Sequence, residues 1–359
     1  MIIRITLREP KMKGKSGGLV ATLIALLAIA ALPGIAAVPS SSPPAPAAPR
    51  DEEAKYEFLK EAANAVVGVQ VKAIGNARSA QTLGVERSGS GVVIDKDLVL
   101  TIGYLIVEAD QVEIATNQGR TVPATVAAYD HATGFGLLRP LGPLGVKPIK
   151  LGDSTRIEPD YRMLIAGSGG AESLSVVTVV SRRPFAGYWE YLLDNAIFTS
   201  PPRPDFGGAA LIDRHGELVG IGSLFVMDAQ SPGERSPGNM FIPIDLLKPI
   251  LPEMARTGGQ KGGRRPWLGV NSMEEDGHIK VLRVTSEGPA EKAGLEAGDI
   301  ILALAGREVT SLDDFYRTLW SAGAPGVEVT LKVLKGSDIR EVHVRSMDRL
   351  DHIRKKPTI

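Results

Sequence analysis

The sequence is organised around residues 203–212, Arg-Pro-Asp-Phe-Gly-Gly-Ala-Ala-Leu-Ile, a stretch with two adjacent glycines and no serine, cysteine or histidine. It runs into residues 213–221, where alternating apolar positions around His215-Gly216 predict a strand, a tight turn and a second strand. Nucleophilic catalysis requires a base within hydrogen-bond reach of the nucleophile and a third group that orients the base. Five histidines are available as bases: His131, His215, His278, His343 and His352.

The glycine-rich stretch resembles the active-site segment of the HtrA/Deg family of trypsin-like serine proteases, whose motif is G-N-S-G-G-P/A-L-V-N. An alignment on residues 216–221 places Asp205 at the first glycine, Phe206 at the asparagine and Gly207 at the nucleophilic serine. Because glycine has no side chain, Gly207 cannot attack a carbonyl carbon.

Two further segments resemble the same family and contain its other two catalytic positions. Residues 88–101 match G-S-G-x-x-I-D…I-L-T, and Tyr104 stands where the family has its general-base histidine. A phenol with a pKa of about 10 is protonated at neutral pH and is a poor base. Residues 130–138 match D-x-x-T-D-L-A-L-L-K, and Gly134 stands where the family has the orienting aspartate. The resemblance therefore implies a scaffold without its three catalytic side chains.

The oxyanion hole is predicted to be altered as well. Asp205 replaces a glycine whose backbone N–H would face the developing negative charge. His131 is close in sequence to the aspartate position, but no serine is placed to complete a triad with it. We interpret His131 as a solvated loop residue and His215 as a surface residue of the hairpin turn.

A second domain is predicted at 266–347, after a flexible basic linker at 258–265. Residues 284–302 match the long string V-x-x-G-S-P-A-x-x-A-G-L-x-x-G-D-x-I-L of HtrA-type PDZ domains, and Ser311 is a predicted helix N-cap. The resemblance implies a mostly β protein. A trypsin-like double β-barrel over 51–257 is followed by an α+β PDZ domain.

PDZ domains bind an extended peptide as an added strand and hold its terminal carboxylate with backbone N–H groups. The resemblance implies that the peptide pairs with residues 270–273 and lies against the helix after Ser311. The alternative for the two helix residues is ordinary core packing. The predicted peptide-binding residues are Trp267, Leu268, Gly269, Val270, Phe315 and Leu319.

The N-terminal 38 residues are typical of an export signal, with basic residues, an apolar run at 19–32 and small residues after Pro33-Gly34. Counted through Val38, the run reaches the ~20 residues that span a bilayer, so an uncleaved membrane anchor is the alternative. Both interpretations place the rest of the chain in the periplasm or otherwise outside the cytoplasm. Residues 39–50 are rich in Pro, Ala and Ser and predict a disordered spacer.

Composition excludes several kinds of site and partner. The chain has no cysteine, which excludes disulfides, thiolate metal sites and a lipoprotein anchor. Lys plus Arg and Asp plus Glu are equal at 41 each, so no net positive field attracts nucleic acid. We expect no metal and no cofactor.

The sequence predicts an exported pseudoprotease that binds unfolded polypeptides or free apolar C-termini. It would act in protein quality control, or as a regulator or partner of an active relative. Two alternatives stay open: an active endopeptidase with relocated catalytic residues, and a structural subunit of a trimeric envelope assembly.

Both ends of the folded region suggest further contacts. In the family, aromatic residues near the first helix pack at a trimer axis, and Tyr56 and Phe58 are the candidates here, with packing on their own domain as the alternative. The basic tail at 348–359 ends in Ile359, whose free carboxylate is hypothesised to dock in a PDZ groove. The alternative is a frayed terminus.

Overall fold

The computed structural model describes residues 50–259 and 263–354, with side chains from residue 57 onward. The predicted signal peptide or anchor at 1–38, the spacer up to residue 49, the side chain of Tyr56 and residues 355–359 with Ile359 lie outside the described part. No helix of the described residues combines the length and the apolar character needed to cross a membrane.

The barrel domain consists of two closed β-barrels of six strands each. Its helices are α1 (Arg50–Ala63), α2 (Ala80–Leu83), α3 (Gly103–Ile106) and α4 (Leu251–Thr257). The first barrel contains β1 (Val66–Ala73), β2 (Glu86–Asp95), β3 (Leu98–Ile102), β4 (Ala109–Ala115), β5 (Thr121–Tyr129) and β6 (Phe135–Pro140). The second contains β7 (Arg162–Ala166), β8 (Leu174–Gly187), β9 (Tyr191–Ser200), β10 (Ala210–Ile212), β11 (Leu218–Val226) and β12 (Gly238–Pro243).

Strand β1 shows why these segments form barrel walls. Val69 and Val71 are buried, whereas Gln70 and Lys72 between and after them are exposed. This period of two places apolar side chains in the barrel and polar ones in solvent. The strand orders are β1-β2-β3-β6-β5-β4 and β10-β11-β12-β9-β8-β7.

The second domain is built around the sheet β14-β15-β16-β18-β19, with β17 paired to β16. Its strands are β13 (Pro266–Trp267), β14 (Val270–Glu275), β15 (His278–Val284), β16 (Ile300–Leu304), β17 (Arg307–Glu308), β18 (Glu328–Lys335), β19 (Asp338–Arg345) and β20 (Met347–Asp348). Its helices are α5 (Pro289–Lys292), α6 (Leu312–Ser321) and α7 (Arg349–His352). Ser311 caps α6 by accepting a hydrogen bond from Asp314 N at 3.1 Å. The predicted double barrel followed by an α+β domain is confirmed, and β14 is an edge strand.

The barrel domain and the second domain form one compact unit, and residues 348–354 pack against it. The ring of His352 lies 5.0 Å from that of Trp267, and Arg354 N donates to Glu108 Oε1 at 2.8 Å. The expectation of a frayed terminus was therefore wrong for this part of the tail. Tertiary contacts hold it in place.

Candidate functional site

The three positions aligned with catalytic residues lie close together where the two barrels meet. Tyr104 is in α3 directly after β3, Gly134 is in the turn between β5 and β6, and Gly207 is in the loop before β10. Gly103 N donates to Gly134 O at 2.7 Å, and Ser90 N donates to Gly207 O at 2.8 Å. These backbone bonds hold the loops in place although the side chains for catalysis are missing.

The phenol of Tyr104 fills the space in which a nucleophilic side chain at position 207 would begin. A Cβ atom on Gly207 would lie 2.8 Å from the Tyr104 hydroxyl. That hydroxyl donates to the carbonyl oxygen of Ser223 at 3.0 Å. Burial raises the pKa of Tyr104 well above its ordinary value of 10.0, so the phenol stays protonated at neutral pH. Tyr104 is a structural hydrogen-bond donor and cannot act as the general base.

Gly134 has a backbone conformation and surroundings that disfavour an aspartate. Its φ of +86° is one that glycine adopts readily and other residues rarely. A Cβ atom at this position would lie 3.2 Å from the Tyr191 hydroxyl. The nearby carboxylate of Asp130 accepts hydrogen bonds from the N and Oγ1 atoms of Thr133 at 2.8 and 2.5 Å. Asp130 is thus used by the turn and does not replace the missing aspartate.

Asp205, in place of the oxyanion-hole glycine, is paired with Arg203. Arg203 Nε donates to Asp205 Oδ1 at 2.8 Å, and Nη2 donates to Oδ2 at 2.5 Å. Ser173 Oγ also donates to Oδ2, at 3.1 Å. Burial acts to raise the pKa of Asp205, but the hydrogen bonds and the positive charge of Arg203 outweigh it and hold the pKa below 3.8. The carboxylate of Asp205 is therefore ionised, and its charge is paired with that of Arg203.

His131 is not a solvated loop residue, so that prediction was wrong. Its Nδ1 lies 3.1 Å from the Tyr129 hydroxyl, and its Nε2 lies 3.1 Å from Nη1 of Arg349. Burial lowers the pKa of His131 well below 6.5, and the charges of Arg349 and Arg265 lower it further. His131 is a neutral hydrogen-bonding group between the barrel domain and α7. Across the described residues, no group of three or more His, Asp or Glu side chains is placed to hold a metal ion.

The predicted carboxylate-binding loop of the second domain holds a side chain of the barrel domain. Leu268 N donates to Glu190 Oε2 at 3.0 Å, and the N atoms of Gly269 and Val270 donate to Oε1 at 2.7 and 3.0 Å. Gly269 has φ of +83°, so the loop can turn successive N–H groups toward one point. Glu190 is only 3% exposed. Its side-chain carboxyl group accepts hydrogen bonds from all three N–H groups of the loop.

Glu190 belongs to a turn that lies between β14 and α6; we call residues 187–191 the docked turn. Ser272 N of β14 donates to Tyr188 O at 2.8 Å. Tyr316 of α6 donates from its hydroxyl to Gly187 O at 2.7 Å and accepts a bond from Glu190 N at 3.3 Å. Neither Glu190 nor Tyr316 was predicted as a site residue from the sequence. The available signal in the sequence was that Glu190 stands among aromatic residues at 188–191. This pattern does not indicate that Glu190 binds the loop at 268–270.

Phe315 and Leu319 of α6 are fully buried in the core of the second domain. The cluster to which they belong also includes Leu192 of β9. Both therefore follow the alternative interpretation, core packing. The α6 residue that hydrogen-bonds to the docked turn is Tyr316.

Known proteins resemble both parts of the chain. Residues 89–221 match the family described as trypsin-like peptidase domain, and residues 266–345 match the PDZ domain family. The periplasmic pH-dependent serine endoprotease DegQ of Escherichia coli (strain K12) is 29% identical over 277 residues, which cover 72% of this chain and 59% of that protein. The serine endoprotease DegS of Haemophilus influenzae is 27% identical over 306 residues, which cover 79% of this chain and 84% of that protein.

A solved structure, the HtrA-type protease AlgW with decapeptide, has a TM-score of 0.50 at 20% sequence identity. The match covers 84% of this chain and 99% of that chain. At this level of identity the likeness concerns the fold.

Proposed function

We propose that this chain, a member of the HtrA/Deg family, is an exported pseudoprotease. Its trypsin-like peptidase domain is followed by one PDZ domain. In this proposal the protein binds polypeptides without cutting them. The observation that carries this proposal is the Tyr104 phenol, whose hydroxyl lies 2.8 Å from where a Cβ on Gly207 would be. Loss of the full catalytic set in a serine protease lowers kcat by ~10⁶, about 8 kcal/mol of barrier.

The activity that such an enzyme retains comes from substrate binding and the oxyanion hole, and amounts to ~10³–10⁴ over water. Asp205 aligns with a glycine of the oxyanion hole, and a residue with a side chain there is expected to disfavour the backbone conformation of the hole, so we expect this remainder to be reduced too. Proteolysis above background is not expected.

The proposed ligands are free apolar C-termini and unfolded segments that expose them. Three N–H groups of the loop at 268–270 already hold a carboxylate, and the edge strand β14 can pair with an added strand. Export is proposed from residues 1–38, as a cleaved signal peptide or a retained inner-membrane anchor, and agrees with the periplasmic location in the relative's name. The role would be in quality control or in regulating an active relative.

Peptide titration of the full chain tests the binding proposal. The probes are ten-residue peptides that end in valine, with either a free carboxylate or a C-terminal amide. The amide should bind more weakly by about 1.5–3 kcal/mol, because charge-assisted hydrogen bonds to the loop at 268–270 are lost. Equal affinities for the two peptides would contradict the assignment of this loop.

A structural subunit is the second candidate function, because Glu190 already fills the carboxylate-binding loop. Such a subunit would form a stable oligomer, with the helix that carries Tyr56 and Phe58 as the candidate contact, and would bind no peptide. Light scattering together with the peptide titration separates this function from peptide binding.

A further inference from the structure

The docked turn makes the contacts that a bound peptide would make. The carboxyl group of Glu190 accepts hydrogen bonds from the three N–H groups of the loop at 268–270. Ser272 N of the edge strand β14 donates a hydrogen bond to Tyr188 O. We propose that the docked turn is an internal ligand of the PDZ groove, which an external C-terminal carboxylate must displace in order to bind. This inference rests on the proposed peptide-binding function and identifies its competitor.

The burial of Glu190 indicates a specific binding arrangement. An ionisable carboxyl group that is 3% exposed is costly to bury unless its oxygens are hydrogen-bonded, and here both oxygens accept loop N–H groups. Arg349 adds a positive charge nearby and donates from Nη1 to Trp189 O at 3.1 Å. The groove therefore provides hydrogen-bond donors to both oxygens of this side chain, as it would to those of a chain end.

The β8–β9 hairpin sets the backbone of Glu190. Its φ of +58° lies in the left-handed region, which residues with a side chain rarely adopt. Gly187 pairs with Tyr191 across the turn, and a three-residue hairpin loop commonly has a left-handed residue at its end. The hairpin therefore presents the Glu190 carboxyl group to the groove.

The contacts around the docked turn leave room for competition. Among the described residues, β14 forms one backbone–backbone hydrogen bond to the turn, from Ser272 N to Tyr188 O, besides the bond from Val270 N to the Glu190 carboxyl group. An extended peptide that pairs along β14 would form several such bonds, as an added strand does. The neighbouring ion pair between Arg317 and Asp194 is largely exposed, so it adds little to docking.

Hydrogen exchange in the full chain tests whether Glu190 occupies the groove in solution. The variant Glu190→Gln replaces one of the two acceptor oxygens with an NH2 group that cannot accept from a loop N–H, and Asp194→Asn is the matched control, since Asp194 is a carboxylate of β9 paired with α6 but has a 78% exposed side chain. Exchange of the amides of residues 268–270 should rise at least tenfold in Glu190→Gln, because at least one of the three loop N–H groups then faces an NH2 group and is left without an acceptor. It should stay close to wild type in Asp194→Asn. Unchanged exchange in Glu190→Gln would overturn the inference.

A second variant guards against a folding defect in the first. Tyr316→Phe keeps Glu190 and removes the hydroxyl that donates to Gly187 O. Exchange at residues 268–270 should rise in this variant too, while amides in the barrel core keep wild-type rates. A fully folded Tyr316→Phe protein with wild-type exchange at residues 268–270 would count against a turn held in the groove.

The peptide titration then separates this inference from the proposed function. The valine-ended acid peptide should bind Glu190→Gln at least about fivefold more tightly than it binds wild type or Asp194→Asn, because an internal competitor has been weakened. If the peptide binds but Glu190→Gln gains nothing, the competition is refuted. If exchange rises in Glu190→Gln and neither acid nor amide peptide binds any variant, the internal contact stands and the peptide-binding function fails.

Discussion

Raising the pH should loosen the docked turn, because docking of Glu190 is linked to proton uptake. Burial raises the pKa of Glu190 from its ordinary 4.5 to about 7, and the loop N–H groups and the charge of Arg349 oppose this rise only in part. The docked state therefore binds a proton more tightly than the undocked state. Docking should be strongest below pH 4.5, weaken as the pH rises to about 7, and stay constant above that. The full change corresponds to about 3 kcal/mol.

The other charged and titratable groups around Glu190 do not produce a change in this window. Arg349 and Arg265 stay cationic, as guanidinium groups do in proteins. Burial raises the pKa of Tyr316 far above neutrality, so its hydroxyl stays neutral. Burial lowers the pKa of His131 well below 6.5, so its ring stays neutral over the upper part of the window.

The assay is the protection factor of the amides at 268–270, which corrects for the intrinsic pH dependence of exchange. Between pH 5 and 7 the protection factor should fall, by at most about tenfold per pH unit. The variant Glu190→Gln should show a flat profile. A wild-type profile that is flat or rises with pH, while the fold stays intact, would refute the linkage between protonation and docking.

Three substitutions test other parts of the structure. Gly207→Ser should remain unlabelled by a fluorophosphonate and lose about 1–3 kcal/mol of stability, because its side chain begins 2.8 Å from the Tyr104 hydroxyl. Mass spectrometry measures the labelling and thermal unfolding measures the stability. A label on the new side chain at position 207 would contradict the steric argument. Tyr316→Phe should weaken docking by about 0.5–1.5 kcal/mol, measured from protection factors, and an unaltered value would mean that its bond to the turn adds nothing. Asp205→Asn should lower the free energy of unfolding in urea by about 1 kcal/mol or less, since the ion pair of Asp205 with Arg203 is partly exposed. A decrease of several kcal/mol would show that the pair behaves as a buried one.

The fold was predictable because its signals are local. Alternating apolar residues and turn glycines predict strands such as β1 and β10–β11, and Ser311 predicts the start of α6. The motifs also located the aligned positions Tyr104, Gly134 and Gly207. What they did not give is the steric relation between Tyr104 and Gly207, which depends on how the two barrels approach each other.

The contacts between the domains were not predictable in the same way. Glu190 and Gly269 are 79 positions apart in the chain, and His131 and Arg349 are 218 apart. No propensity or period relates such residues, so His131 was interpreted as solvated. A hydrophilic tail likewise gives no indication that His352 packs against Trp267.

We propose above all that this protein binds polypeptides and does not hydrolyse them. To test this proposal, the purified full chain is incubated with casein and, separately, with a fluorophosphonate probe. Mass spectrometry then detects casein fragments in the first sample and labelled serines of this chain in the second. We expect no casein fragments above the buffer blank and no labelled serine, because Tyr104, Gly134 and Gly207 leave no nucleophile, base or orienting acid at the aligned positions. Fragments that increase with protein concentration, together with a label on a serine of this chain, would contradict it and establish a relocated nucleophile.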